Sequence, residues 1–201
     1  MPTLICDLDG VLFSDAPQRR IDAWREANGG DLGIDGPADL PDDELVAFRS
    51  GLLDEAGYAA HLRRRLRWTG SDADLVTGWD TGAAVSLEVV DVLSGLRERG
   101  WRLIGADDSD PWTRRGREDQ LGWTTSLFER VVRSVDVGAC LPDPRFFAEL
   151  LRGLPPHGTR LYVDDDSRNV SAARRAGLDG HLFNGAEGMK GACRAVLISS
   201  T

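Results

Sequence analysis

Lysine is almost missing from this chain. Of 24 basic residues only Lys190 is a lysine, and the other 23 are arginine. Cysteine is also scarce. Cys6, Cys140 and Cys193 form an odd, scattered set without CxxC spacing, which argues against a disulfide framework or a zinc site. No apolar run approaches the ~18 residues of a membrane span. The first residues, Met1 to Cys6, carry neither a basic region nor a long apolar core, so they do not read as a signal peptide and a cytoplasmic protein is expected. Positive charge is in deficit: 33 acidic against 24 basic residues give −9, which disfavours a non-specific nucleic-acid binder. What is present is ordinary for a globular protein, with 41% hydrophobic and 28% charged residues in 201. That length suits one domain, or one domain with a modest insertion.

Leu4–Cys6 is a short apolar run that ends in Asp7-Leu8-Asp9-Gly10, a pattern that predicts a buried strand and a polar loop. From about residue 15 to 85 the spacing becomes helical: Ile21, Trp24 and Ala27; Leu45, Phe48 and Leu52; Leu62 and Leu66. Gly29-Gly30, Gly36-Pro37 and Gly70 punctuate it, so this stretch predicts a small all-helical insertion. Strand and helix then alternate. Helices are predicted at Leu87–Arg99 (closed by Gly100), Trp112–Leu121, Pro144–Leu151 and Ser167–Ala176. Strands are predicted at Trp101–Ala106, Val131–Val135, Leu161–Val163 and His181–Phe183. The order predicts an α/β fold with a parallel sheet covered on both faces, a core of residues 1–14 and 86–201, and the helical insert at 15–85.

The acidic clusters fall at strand ends: Asp7/Asp9, Asp107/Asp108 and Asp164/Asp165. In an open parallel sheet ligands bind at the carboxyl ends of the strands. Three such clusters would repel one another there unless a cation joined them, and an all-oxygen ligand set suits Mg²⁺. A single Asp after a strand is commonly just a cap or turn residue; three at successive strand ends are poorly explained that way.

These residues resemble the haloacid dehalogenase (HAD) superfamily. Asp7-Leu8-Asp9-Gly10-Val11-Leu12 is similar to its first motif, DxDGV/T after an N-terminal strand. Val163-Asp164-Asp165-Asp166-Ser167-Arg168-Asn169-Val170 is similar to its fourth. The resemblance covers nearly the whole chain. It implies a Rossmann-like core with a helical cap after the first strand, in a layout that looks like glucose-1-phosphate phosphatases and the N-terminal phosphatase domain of soluble epoxide hydrolases. It further implies that Asp7 is the nucleophile and Asp9 the acid/base. Mg²⁺ would be held by Asp7, the main-chain carbonyl of Asp9, and Asp165, with Asp164 in support.

Two motifs depart from the family. Asp107 and Asp108 stand where a Ser or Thr, usually followed by Asn, would bind phosphoryl oxygens. In Gly138-Ala139-Cys140-Leu141-Pro142-Asp143-Pro144, Leu141 takes the place of the family lysine. A like-charge pair at ~4 Å costs roughly 4 kcal/mol at a surface-like dielectric, so gaining Asp107 and losing the lysine both oppose an anionic substrate. Asp107 and Asp108 are read as substrate-facing, and Arg114, Arg115 and Arg145 as cations that could replace the lysine, although each alone is more often a solvated helix residue.

The run His61-Leu62-Arg63-Arg64-Arg65-Leu66-Arg67 reads as a solvated basic face or as a cap surface facing an anion. Trp24, Trp68, Trp79 and Trp112 read first as core and second as an aromatic wall for a substrate. His61, His157 and His181 show no ligand spacing, and Cys6 reads as a buried apolar residue. Three functions stay open: a Mg²⁺-dependent hydrolase of a small phosphorylated metabolite, a non-phosphatase enzyme using Asp7 and Asp9 as acid and base, or an inactive binding protein. The expected partner is a small molecule, with no nucleic acid or membrane, for a monomer or homodimer.

Overall fold

The computed structural model describes residues 1–14, 17–40, 42–79, 84–116, 122, 125–155 and 157–199. Its centre is a five-stranded parallel sheet in the order β3-β2-β1-β4-β5, built from β1 (Thr3–Asp7), β2 (Arg102–Asp107), β3 (Arg130–Arg133), β4 (Arg160–Asp164) and β5 (Asp179–Leu182). β1 lies in the middle and pairs Asp7 with Ala106 of β2 and Cys6 with Val163 of β4. The parallel register therefore brings the carboxyl ends of β2, β1 and β4 to one edge.

Strand alternation sends side chains to opposite faces, and both faces are covered. Leu4, Cys6, Leu103, Leu161 and Val163 pack with Val89, Val90, Leu93 and Leu96 of the helix Leu87–Glu98 and with Met189 and Cys193 of the helix Ala186–Ser199. On the other face Ile5, Ile104, Val132 and Tyr162 pack with Phe146, Phe147 and Leu150 of the helix Pro144–Leu151 and with Ala172 and Ala173 of the helix Ser167–Arg175. Ser86 caps the first of these helices through Val89 N at 3.4 Å, and Gly100 follows its end at φ +79°, a conformation glycine adopts without strain. The helix Ala186–Ser199 is not foreseen by the sequence pattern. Gly188 and Gly191 weaken its intrinsic propensity, and burial of Met189 and Cys193, four apart, supplies what the propensity lacks.

Some expected boundaries shift. The chain of the third strand turns helical at Ser134–Val137, two residues before the expected end. The last strand begins at Asp179 and ends at Leu182. The expected helix Trp112–Leu121 is a helix over Pro111–Gly116, and 117–121 lie outside the described residues. Leu52 lies beyond the end of the helix Asp43–Arg49 and is 77% exposed.

Between β1 and the helix Leu87–Glu98 the chain forms the helices Pro17–Ala27, Asp43–Arg49, Glu55–Arg65 and Asp72–Trp79, with a 3₁₀ turn at Pro37–Asp39. Asp42 and Asp54 cap the second and third through Leu45 N and Gly57 N, both at 2.8 Å. The chain departs and returns side by side: Ser14 N donates to Ala84 O and Ser86 N to Leu12 O, each at 2.8 Å. Trp24, Phe48, Tyr58, Trp68 and Trp79 gather in one apolar cluster, and Trp112 joins it from the segment after β2. The four tryptophans of this cluster are core residues. Asp110, 1% exposed, ties the two parts together: it accepts from Trp79 Nε1 at 3.0 Å and from the amides of Trp112 and Thr113 at 3.0 and 2.9 Å. Trp79→Ala would empty the centre of the cluster and remove one of the donors to this buried carboxylate. It is expected to lower unfolding free energy by about 3–5 kcal/mol in a denaturant titration.

Candidate active site

The turn after β1 shapes the reactive end. Leu12 N and Phe13 N both donate to Leu8 O, at 3.0 and 2.8 Å, and Gly10 N donates to Phe13 O at 2.8 Å. This tight loop turns the chain back so that Asp7 and Asp9 both line a cavity of about 520 Å³. Gly10 sits at φ +79°, and a Cβ there would run into the Asp165 carboxylate. Gly10→Ala is therefore expected to displace Asp165 and weaken divalent-cation binding by roughly tenfold or more, read by calorimetric titration. Unchanged affinity would remove Asp165 from the metal site.

Carboxylate oxygens of Asp7, Asp164 and Asp165 all lie within 4.8 Å of one another. Asp164 ends β4 fully buried. It accepts from the Tyr162 hydroxyl, from Asp166 N at 2.7 Å and from Asn169 Nδ2 at 3.1 Å, which fix its orientation. Burial, then the neighbouring Asp164, Asp9 and Asp165, push the Asp7 carboxyl well above the usual range. Burial, then Asp164, push Asp165 up to about 6. Burial also raises Asp164, against its three hydrogen bonds. Crowded oxygen donors that resist ionising together fit a small hard divalent cation, whose charge would relieve all three. The Asp9 side chain is not in this cluster.

The structure distributes the other expected site residues unequally. Asp108 lines the cavity, and burial pushes it up to about 6 against the pull of Arg49, Cys140 and Ser134. Asp107 does not line the cavity. It is 3% exposed, accepts from the Ser109 amide at 3.1 Å and the Ser109 hydroxyl, and faces Arg133 Nε at 3.7 Å. Leu141 is in the cavity wall, where the resemblance puts the lysine. The expected replacement arginines are elsewhere. Arg145 is held by Asp143 at 2.9 Å with its side chain 68% exposed, Arg115 pairs with Glu55, and Arg114 is exposed on its short helix. Each follows the local capping or helix geometry rather than the cavity. Lys190 pairs with Glu187 at 3.1 Å on the C-terminal helix.

Three arginines do line the cavity: Arg20, Arg49 and Arg168. Arg168 is paired with Asp166 and 82% exposed. Arg20 donates to Trp79 O at 2.6 Å and stacks over the Trp79 ring at 4.2 Å. Arg49 ends the helix Asp43–Arg49 and lies 4.0 Å from Asp108. Neither Arg20 nor Arg49 is legible as a site residue in the sequence, since both sit on the insert among many similar arginines. The basic run at 61–67 stays off the cavity wall: Arg65 and His61 bind Asp42, and Arg63 binds Asp72. The buried Cys6 thiol is pushed far up by burial and by Asp7, so it is inert as a nucleophile.

A parallel α/β core with three aspartate carboxylates gathered at its strand ends defines the class as a Rossmann-like fold with an acidic site. The chain belongs to the haloacid dehalogenase-like hydrolase family, whose model matches residues 1–177. An HAD family enzyme from Bacteroides thetaiotaomicron, in complex with magnesium and inorganic phosphate, is similar in structure, with TM-score 0.77, 18% identity, and 92% of this chain and 94% of that chain covered. A predicted HAD-like family hydrolase from Porphyromonas gingivalis gives TM-score 0.78 at 22% identity, with 98% of each chain covered. An HAD phosphatase from Thermococcus onnurineus gives 0.60 at 19%, covering 92% and 86%. No curated protein matches the chain at the sequence level. Among the described residues, no helix is long and apolar enough to cross a membrane.

Proposed function

We propose that this chain is a Mg²⁺-dependent hydrolase of a small phosphorylated metabolite, with residues 15–85 acting as a cap over the site. The observation that carries this reading is the convergence of the Asp7, Asp164 and Asp165 carboxylates within 4.8 Å at a cavity that Asp9 also lines. Asp7, Asp164, Asp165 and the main-chain carbonyl of Asp9 would hold Mg²⁺. Such a cation supplies charge neutralisation between an anionic nucleophile and an anionic substrate.

Asp7 attacks phosphorus, and the bond to the leaving oxygen breaks. Asp9 gives its proton to that oxygen. Asp9 then takes a proton from water as the water oxygen attacks the aspartyl-phosphate, which releases inorganic phosphate and restores Asp7. Tyr162 and Asn169 hold Asp164 in place throughout. The bound complex of the Bacteroides enzyme with magnesium and phosphate supports this reading by analogy of fold.

A screen of phosphorylated metabolites with Mg²⁺ tests it. Phosphate release that disappears in Asp7→Asn is the expected result. The placement of Asp108 and Leu141 in the cavity wall favours a second reading, a non-phosphatase reaction in which Asp7 and Asp9 exchange protons. Under it, phosphate release stays at background and a different product depends on Asp7 or Asp9.

A further inference from the structure

In this family resemblance the positive charge beside the nucleophile comes from the core, and here Leu141 occupies its place. We propose that Arg49, carried by the helical insert, supplies that charge from the opposite wall and binds the phosphoryl group. The inference rests on the phosphohydrolase reading given above and assigns its anion-binding residue.

Placement is the first argument. Arg49 lines the same cavity as Asp7, Asp9 and Leu141. Its side chain is 33% exposed, yet its Nε is sealed from solvent and has no hydrogen-bond partner among the described residues. Its ion pair with Asp108 is loose, at 4.0 Å, and Asp108 Oδ1 is itself buried without a hydrogen bond. A buried donor left unsatisfied is costly, so the guanidinium is not locked by a close partner, and the third of the side chain that stays exposed is what the cavity offers to an anion. The other two arginines of the cavity are differently engaged, Arg20 with Trp79 and Arg168 with Asp166.

Anchoring is the second argument. The end of the Asp43–Arg49 helix is fastened to the core at the segment that would carry the lysine. Ser134 Oγ donates to the main-chain carbonyl of Arg49 at 2.8 Å, and Cys140 Sγ donates to that of Val46 at 3.4 Å. Gly51, at φ +73°, lets the chain pass so close to Val135 that an added Cβ would stand 3.0 Å from it. These contacts tie the main chain that carries Arg49 to the core beside the cavity. A guanidinium also offers a planar fork that fits two phosphoryl oxygens, which an ammonium does not.

The test is titration of inorganic phosphate into the Mg²⁺-loaded protein by calorimetry, with Mg²⁺ affinity and thermal unfolding of each variant as controls. Arg49→Met should weaken phosphate binding roughly 10- to 100-fold while Mg²⁺ binding persists. Adding Leu141→Lys to that variant should restore most of the affinity. Arg49→Lys, which keeps the charge, should fall between wild type and Arg49→Met. Wild-type affinity in Arg49→Met would overturn the assignment and leave the phosphohydrolase reading standing. Loss without rescue by Leu141→Lys would overturn the equivalence of the two positions. A wild-type protein that binds Mg²⁺ but no phosphate would overturn the phosphohydrolase reading itself, and this inference with it.

Discussion

Asp7→Asn is expected to lower phosphate-monoester hydrolysis by roughly four orders of magnitude or more while making the cation-free protein more stable. Both effects follow from one carboxylate. Asparagine has nearly the same shape but presents no anionic oxygen for attack on phosphorus, and removing a nucleophile disables a catalytic unit as a whole. Burial, and after it the neighbouring Asp164, Asp9 and Asp165, push the pKa of the same carboxylate well up. A neutral amide carries no buried charge and ends the repulsion as well. Initial rates on p-nitrophenyl phosphate with Mg²⁺, paired with thermal unfolding in chelator, read both effects. A loss of activity accompanied by lower stability would point to misfolding. Unaltered turnover would remove Asp7 as nucleophile.

The second large effect concerns pH and cation together. Asp108 and Asp165 are each pushed up to about 6, and burial also raises Asp7, Asp107 and Asp164. An unfolded chain loses these protons near pH 3.9. Between about pH 4 and 6 the folded protein therefore holds more protons than the unfolded one, and its stability falls as pH rises through that window. For Asp108, whose side chain is 18% exposed, a shift of about two pH units corresponds to roughly 3 kcal/mol. The more exposed Asp165 contributes less because solvent screens it. About half of that window lies below pH 5, so a chelated sample is expected to melt about 3–6 °C lower at pH 7.5 than at pH 5. Saturating Mg²⁺ should recover most of that loss at pH 7.5 and add little at pH 5, where the ligands hold protons. Equal melting temperatures in chelator would show that the carboxylates do not repel one another as their burial implies.

Much of the site can be read from residue order because its aspartates sit where strands end. Asp7 and Asp164 close β1 and β4, and adjacent parallel strands in register must bring such residues together. Gly10 is equally local in origin, since the Asp165 carboxylate occupies the space a side chain would need. The departures at Asp107, Asp108 and Leu141 are also visible in the sequence, but their consequences are not. Asp108 turns into the cavity while Asp107 is taken up by Ser109 and Arg133. Two adjacent residues point in different directions, and only the backbone path after β2 decides which one meets a ligand.

The arginines show the same division more sharply. Arg114, Arg115 and Arg145 follow the altered motifs in sequence, yet cap and helix geometry turns them toward Glu55, Asp143 or solvent. Arg49 is remote in sequence and reaches the cavity because Ser134 and Cys140 hold its helix end against the core. Nothing in local periodicity encodes that docking.

The succession of strands and helices along the chain, the parallel α/β class and the meeting of Asp7 with Asp164 and Asp165 were determined by the sequence alone, because they follow from alternation, burial and the position of acids at strand ends. Which charges face the cavity was decided only by the tertiary structure. That choice depends on contacts between the insert and the core, Trp79 and Trp112 around Asp110 and Ser134 on Arg49, which join residues far apart in the chain. Leu141 is visible in the sequence, but that Arg49 lines the same cavity is decided only by how its helix end packs on Ser134 and Cys140.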